Sequence, residues 1–223
     1  MRRHRELVKL VAALLALLAW MAFIFYMSAK TGGASGGMSE SVAAWLAQTF
    51  CPDWASMAPA ARAELLSQMS LPVRKGAHVA EYAVLAALAF IAFWQMRTAA
   101  RAMRHARAGA SADADAGTGA SAGASEGADE GAGAPAGENA GMRASADGAA
   151  ARAVFLTALA SFAFSAFYAA SDEFHQLFVP GRAGLFSDVL IDSCGAALGS
   201  ALAALVAWRG TRRAQRREGG RCS

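Results

Sequence analysis

Four apolar segments, each about long enough to cross a membrane, constrain the fold of this chain most. They span residues 10–27, 76–96, 153–171 and 185–208. A helix that crosses the hydrocarbon core of a bilayer needs about 20 mostly apolar residues. The whole chain is 56% apolar, whereas soluble domains are about 45–50% apolar. The sequence therefore predicts an all-α, polytopic membrane protein built as a bundle of four transmembrane helices.

A signal peptide is the alternative for the first segment, because Arg2, Arg3 and Arg5 precede it. The apolar core of a signal peptide usually spans about 7–15 residues, and the first segment is longer. Its exit, Ser-Ala-Lys at residues 28–30, is a poor cleavage site. We therefore predict an uncleaved helix.

Basic residues flank the segments and predict their orientation, because Lys and Arg are retained on the cytoplasmic side. The clusters precede the first segment, follow the second and follow the fourth: Arg2, Arg3, Arg5 and Lys9; Arg97, Arg101, Arg104 and Arg107; and Arg209, Arg212, Arg213, Arg216, Arg217 and Arg221. Four crossings place all of them on one side. We therefore predict a multi-pass cell-membrane protein with both termini cytoplasmic, ending in a basic cytoplasmic tail at residues 209–223.

Two regions lie between these segments. The loop at residues 28–75 is predicted to be extracytoplasmic and to hold two short helices, one at residues 39–50 and one at residues 59–70. Residues 108–151 contain ten Gly and seven acidic residues among mostly Ala and Ser. Such a composition buries too little apolar surface to offset chain entropy, which predicts a disordered, low-complexity cytoplasmic linker. The linker separates an N-terminal helix pair at residues 1–107 from a C-terminal pair at residues 152–208.

Charged residues near the apolar segments form a pattern of their own. Placing charge in a membrane is costly, so each such residue indicates either a function or a pairing. The predicted topology brings the following to the outer leaflet as one polar cluster: Lys75, His78, Glu81, Tyr82, Asp172, Glu173, His175, Gln176, Arg182, Asp188 and Asp192. A functional site and a purely structural network of ion pairs both fit this set. Gly195 and Gly199 form a GxxxG pattern, which predicts close helix packing.

Three ordered motifs of the chain resemble those of the VanZ-like family. They are KGAHVAEY at residues 75–82, DEFHQLFVPGR at residues 172–182, and DVLID at residues 188–192 with Gly195 and Gly199 after it. The resemblance covers residues 10–208, apart from the linker, which looks like an insertion. It implies a membrane protein of the cell envelope, and it implies no catalytic residues. The namesake of the family is associated with low-level resistance to teicoplanin, a lipid-bearing glycopeptide that targets cell-wall precursors.

Three hypotheses for the function follow. We favour a non-enzymatic protein that binds a lipid-linked or glycopeptide-type ligand at the outer leaflet and contributes to teicoplanin-type resistance or tolerance of envelope stress. The second hypothesis is a membrane-embedded enzyme that acts on a lipid-linked substrate through His78 or His175 and Glu81, Glu173 or Asp192. The third is a metal site built from the histidines and acids.

Several common classes lack their sequence signatures here. The chain contains neither H-E-x-x-H nor G-x-S-x-G, the patterns of zinc proteases and of serine hydrolases. The basic clusters abut apolar segments without interleaved aromatic residues, which argues against a nucleic-acid partner. We predict the lipid bilayer as the main partner and no cofactor or resident metal. The catalytic residues, if any, and the oligomeric state stay open.

Overall fold

The computed structural model describes residues 2–118 and 136–219 and shows an all-α protein. In that part of the chain the helices are α1 (Arg2–Ser28), α2 (Gly32–Phe50), α3 (Pro59–Thr118), α4 (Ala136–Gln176) and α5 (Phe186–Gly219), with a 3-10 turn at Trp54–Ser56. Four of these helices, α1, α3, α4 and α5, are long and apolar enough to cross a membrane. The predicted all-α polytopic architecture is confirmed.

Helix α3 occupies the centre of the bundle. It packs against α1, α2, α4 and α5, and α4 also packs against α5. The core is apolar and comes from three helices, as expected for a bundle whose facing sides pack closely. Its buried members are Leu17 and Ile24 of α1, Tyr82, Leu85, Ala89 and Ala92 of α3, and Ala169 of α4.

The contact between α3 and α5 depends on two glycines. A Cβ atom on Gly195 would collide with the carbonyl oxygen of Val79, and one on Gly199 would collide with that of Ala83. Both pairs advance by four residues in the same direction, so the two helices run parallel in this contact. The parallel register brings the first turns of α5 beside residues 75–78 of α3. It therefore positions charged residues of the two helices at one level.

The loop ahead of the second apolar segment differs from its prediction in two ways. The helix predicted at residues 59–70 does begin at Pro59, but it is the first part of α3 and continues through Pro72. A proline removes one backbone hydrogen bond from a helix, and long membrane helices tolerate this loss when their neighbours pack around them. The loop therefore holds one separate α-helix, α2, instead of two.

Helix α2 begins earlier than the predicted residue 39. Its N-cap is Thr31, whose hydroxyl accepts a hydrogen bond from the backbone nitrogen of Ala34 at 3.4 Å. Ser39 is an interior residue and donates to the carbonyl oxygen of Ser35 at 3.1 Å. Gly32 is required at the first turn, because a Cβ atom there would collide with the carbonyl oxygen of Gly181. Tertiary contact therefore extends α2 into a glycine-rich stretch.

The ends of the predicted linker at residues 108–151 are helical. α3 continues to Thr118, and α4 begins at Ala136. The physical reason is composition, since alanine has the highest helix propensity of all residues. Residues 119–135, the middle of the predicted linker, lie outside the described residues.

Candidate functional site

The predicted polar cluster lies at one end of the bundle, where α2 and the loop at residues 177–185 also lie. We call this the α2 end. Eight members of the cluster line two neighbouring cavities there: Lys75, His78, Glu81, Asp172, Gln176, Arg182, Asp188 and Asp192. The structure therefore brings together side chains from α3, α4, α5 and the loop.

The first cavity lies between α1, α2 and α3 and has a volume of about 460 Å³. Its charged lining residues are Arg74, His78, Glu81, Asp172 and Arg182, and three serines line it as well. Its apolar lining residues include Ile24, Met27, Met38, Val42, Leu46 and Val73. A cavity whose lining combines charged and apolar side chains matches an amphiphilic ligand.

The second cavity has a volume of about 440 Å³ and lies towards α5. Arg74, His78 and Arg182 line it as well as the first cavity. Its other polar members are Lys75, Gln176, Asp188 and Asp192. The three shared side chains therefore form a common boundary between the two cavities.

Two ion pairs join α3 to α5 in the second cavity. The Nζ atom of Lys75 lies 3.7 Å from Oδ1 of Asp188, and Nδ1 of His78 lies 3.3 Å from Oδ1 of Asp192. Asp192 is completely buried. Its carboxylate and Nδ1 of His78 form no hydrogen bond with the other described residues, so the pair is close without being well aligned. A buried carboxylate needs such a partner, because removing it from water costs several kcal/mol.

Arg182 links the loop to α1 and α4. Its Nε donates to the carbonyl oxygen of Lys30 at 3.2 Å, and its Nη2 donates to that of Met27 at 3.3 Å. Its Nη1 donates to Oε1 of Gln176 at 3.2 Å, and Nε2 of Gln176 donates to Oδ2 of Asp172 at 3.2 Å. Burial lowers the pKa of the Arg182 guanidinium, with the neighbouring positive charge of Arg74 as the next cause. Arginine nevertheless stays protonated near neutral pH.

The loop itself is fixed by backbone geometry. Gly181 has a φ angle of +72°, in the left-handed region that residues other than glycine rarely adopt. The backbone nitrogen of Gly32 donates to the carbonyl oxygen of Pro180 at 3.1 Å. These contacts hold the loop against the start of α2, and they keep Arg182 directed between the helices.

Three members of the predicted cluster line neither cavity. Glu173 accepts a hydrogen bond from the backbone nitrogen of Leu185 at 3.0 Å, which places its negative charge at the N-terminus of α5, where the helix dipole favours it. Tyr82 is completely buried. The ring of His175 packs on Phe25, with 4.7 Å between the ring centroids. These three side chains therefore lie outside the walls of the two cavities.

Comparison with known proteins decides the family. The sequence profile of the VanZ/LLP1 family matches residues 13–207. The chain belongs to the VanZ/LLP1 family. The resemblance expected from the three motifs is thereby confirmed, and all eleven residues of the polar cluster fall within the matched range. No curated protein and no solved structure matches the chain.

Arg74 is the residue of this VanZ-like protein that the sequence reasoning left out of the cluster. It lines both cavities, and its buried Nε and Nη2 atoms have no hydrogen-bond partner among the described residues. Its position one helical turn before His78 was an available signal, since side chains four residues apart share a helix face. An arginine near a helix end is more often a headgroup anchor, which hides such a role.

The metal hypothesis was tested against the geometry of the cluster. Within residues 2–118 and 136–219, no group of three or more His, Cys, Asp or Glu side chains is placed to hold a metal ion. The two histidines of the cluster separate, because His78 lines the cavities while His175 packs on α1. No metal site is therefore assigned.

Proposed function

We propose that this VanZ-like protein binds a lipid-linked or glycopeptide-type ligand in the cavities of its α2 end, at the outer leaflet of the cell membrane. The basic residues support this orientation, since they cluster around the opposite ends of α1, α3 and α5 and such clusters are retained in the cytoplasm. Both termini are then cytoplasmic. The α2 end then faces the compartment that contains cell-wall precursors and glycopeptides.

The observation that supports this function best is the mixed lining of the first cavity. Its apolar members come from α1, α2 and the start of α3, and its charged members include the buried Asp172. An acyl chain in the cavity would contact the apolar members, where it is removed from water. The head group of the same molecule would then meet His78, Arg182 and the acids. A free sugar or peptide would leave the apolar members without a partner.

The family suggests what such binding achieves in the cell. A protein that binds an acyl-bearing glycopeptide, or the lipid-linked precursor it targets, lowers the fraction of drug–target complexes. This accounts for the resistance associated with the namesake of the family without any chemical reaction. Tolerance of other envelope stresses follows if the bound ligand is the precursor itself.

Filling the first cavity tests this proposal in cells. Gly76 lines the cavity, and a Cβ atom there meets no other atom within 4 Å, so Gly76→Leu adds bulk to the cavity lining and its first side-chain atom meets open space. A matched control is Gly37→Leu, which has equal space and lies in α2 outside the cavity walls. We expect the control to restore teicoplanin tolerance to a deletion strain and Gly76→Leu to fail. Equal tolerance with both variants, at equal protein levels in the membrane, would contradict the proposal.

A second candidate function rests on the pair formed by His78 and Asp192. A carboxylate 3.3 Å from an imidazole nitrogen is the kind of pair that general acid–base catalysis uses once the two groups align. His78 also lines both cavities. Mass spectrometry of lipid extracts would distinguish the two functions. An enzyme produces a change in lipid-linked species that disappears with His78→Gln, whereas a binding protein leaves the extracts unchanged.

A further inference from the structure

Among the four basic side chains that line the two cavities in the described part of the chain, Arg74 and Arg182 are the two without an acidic partner. Lys75 pairs with Asp188, and His78 pairs with Asp192. Neither arginine forms an ion pair within 4.0 Å among the described side chains. Both line the first and the second cavity.

The hydrogen bonds of the two arginines also lack an anionic acceptor. Arg182 donates to two backbone carbonyls and to one amide, all of them neutral. Arg74 has two buried nitrogen atoms, Nε and Nη2, without a partner in the described part of the chain. Buried polar atoms are nearly always satisfied in folded proteins, so unpaired donors on a side chain that lines two cavities indicate a ligand that accepts hydrogen bonds. Because the donors are charged, an anion is the ligand they favour.

The charges around the cavities indicate where the anion binds. In the first cavity Glu81 and Asp172 oppose the two arginines. In the second cavity each acid has a basic partner within 4.0 Å, Lys75 for Asp188 and His78 for Asp192, and the second pair is ionic when the imidazole is protonated. Repulsion of an anion held by Arg74 and Arg182 is therefore weaker in the second cavity than in the first.

We propose that Arg74 and Arg182 bind a phosphate group in the second cavity. Guanidinium groups hold phosphate through paired, charge-assisted hydrogen bonds, and two of them offer donors to several oxygens at once. This inference rests on the proposed function, because the phosphate is the polar end of a ligand whose apolar part occupies the first cavity. It names the ligand class as a lipid that carries phosphate, in place of an uncharged amphiphile.

Binding to the purified full chain in detergent tests the inference with four probes: short-chain phosphatidic acid, the matching diacylglycerol, a short-chain fatty acid and inorganic phosphate. We expect phosphatidic acid to bind most tightly. Arg74→Gln should weaken its binding about tenfold or more, since one charged hydrogen-bonding group is lost. Arg74→Lys should restore part of the affinity, because it keeps the charge without the planar geometry. Arg62→Gln on the same helix is the matched control, since Arg62 lines none of the cavities and donates to the carbonyl oxygen of Ala55 instead.

The probes separate this inference from the function on which it rests. Equal binding of diacylglycerol and phosphatidic acid by the wild-type chain overturns the phosphate site and leaves amphiphile binding standing. Tighter binding of the fatty acid than of phosphatidic acid would indicate a carboxylate site and would also overturn the phosphate site. Inorganic phosphate that binds as tightly as phosphatidic acid, and weakens with Arg74→Gln, supports the site but overturns a lipid as its source. Failure of all four probes to bind contradicts both proposals. The wild-type comparisons hold even where a variant does not fold.

Discussion

Glu173 shows how one side chain of the cluster serves the scaffold. Its Oε2 accepts a hydrogen bond from the backbone nitrogen of Leu185, just before α5. Its Oε1 is buried and has no partner among the described residues. Glu173→Gln keeps an acceptor oxygen, so we expect the free energy of unfolding in detergent to change by less than about 1 kcal/mol. Glu173→Ala leaves that nitrogen unpaired and should cost about 1–3 kcal/mol. Equal effects of the two variants in a denaturant titration would show that the carboxylate charge, not the acceptor, stabilises α5.

Gln176 connects two charged side chains of the α2 end through neutral hydrogen bonds. It accepts from Arg182 and donates to Asp172, and it is buried. Gln176→Glu would keep the size and the acceptor for Arg182, but it would replace the donor to Asp172 with a second negative charge. We expect a lower melting temperature in detergent, because the lost hydrogen bond, the repulsion from Asp172 and the burial of a new charge together exceed the attraction to Arg182. Gln48→Glu, at an exposed position of α2, is the control and should leave the melting temperature unchanged.

At the scale of single residues the sequence predicted most of the charged side chains that line the two cavities. Eight of the eleven chosen side chains line the cavities, because charge within apolar segments is rare and therefore informative. The sequence did not distinguish these eight side chains from Glu173, Tyr82 and His175, which line neither cavity. The direction of a side chain depends on how the neighbouring helices pack, and the sequence does not show this packing. Arg74 was missed for a different reason. Its spacing from His78 placed it on the same helix face, but an arginine near a helix end is more often a headgroup anchor.

The close packing of α5 against α3 can be tested at the two glycines of α5 that contact the backbone of α3. Gly195→Ala and Gly199→Ala would each place a Cβ atom against a backbone carbonyl of α3, which cannot move aside without shifting the helix. We expect each to lower the free energy of unfolding by about 1–3 kcal/mol. Gly210→Ala is the matched control on the same helix, since nothing lies within 4 Å of its added Cβ atom. The control should be neutral or more stable by up to about 1 kcal/mol. Three equal results in a denaturant titration would contradict the close contact.

At the scale of helices the sequence predicted the apolar spans better than the loop before α3. Apolar segments of about 20 residues have few alternatives in a membrane. The start of α2 was predicted too late, because its glycine-rich first turns have low helix propensity and are held by contact with Gly181. The continuity of α3 through Pro72 also comes from packing, which outweighs the missing hydrogen bond. Local propensity alone indicated a break at both places.

The orientation of the whole molecule is open to a direct test. A reporter that works only outside the cytoplasm should be active when fused near Met57 and inactive when fused at Gly131 or Ser223. The reason is the retention of the basic clusters in the cytoplasm. Fusions at Arg107, with and without replacement of the basic residues after residue 96, serve as a control that tests whether these residues determine the orientation. Activity at Ser223 would contradict both the four-crossing topology and the placement of the α2 end outside.

The central claim is that the α2 end of this VanZ-like protein binds an amphiphile in its cavities. The most direct measurement is the binding of teicoplanin to the purified protein in nanodiscs, beside the same glycopeptide without its acyl chain. We predict that the wild-type chain and Gly37→Leu bind the acyl-bearing form more tightly than the form without it. Gly76→Leu, which adds bulk to the lining of the first cavity, should abolish that difference. Equal binding of the two forms by the wild-type chain, or an undiminished preference in Gly76→Leu, would contradict the claim.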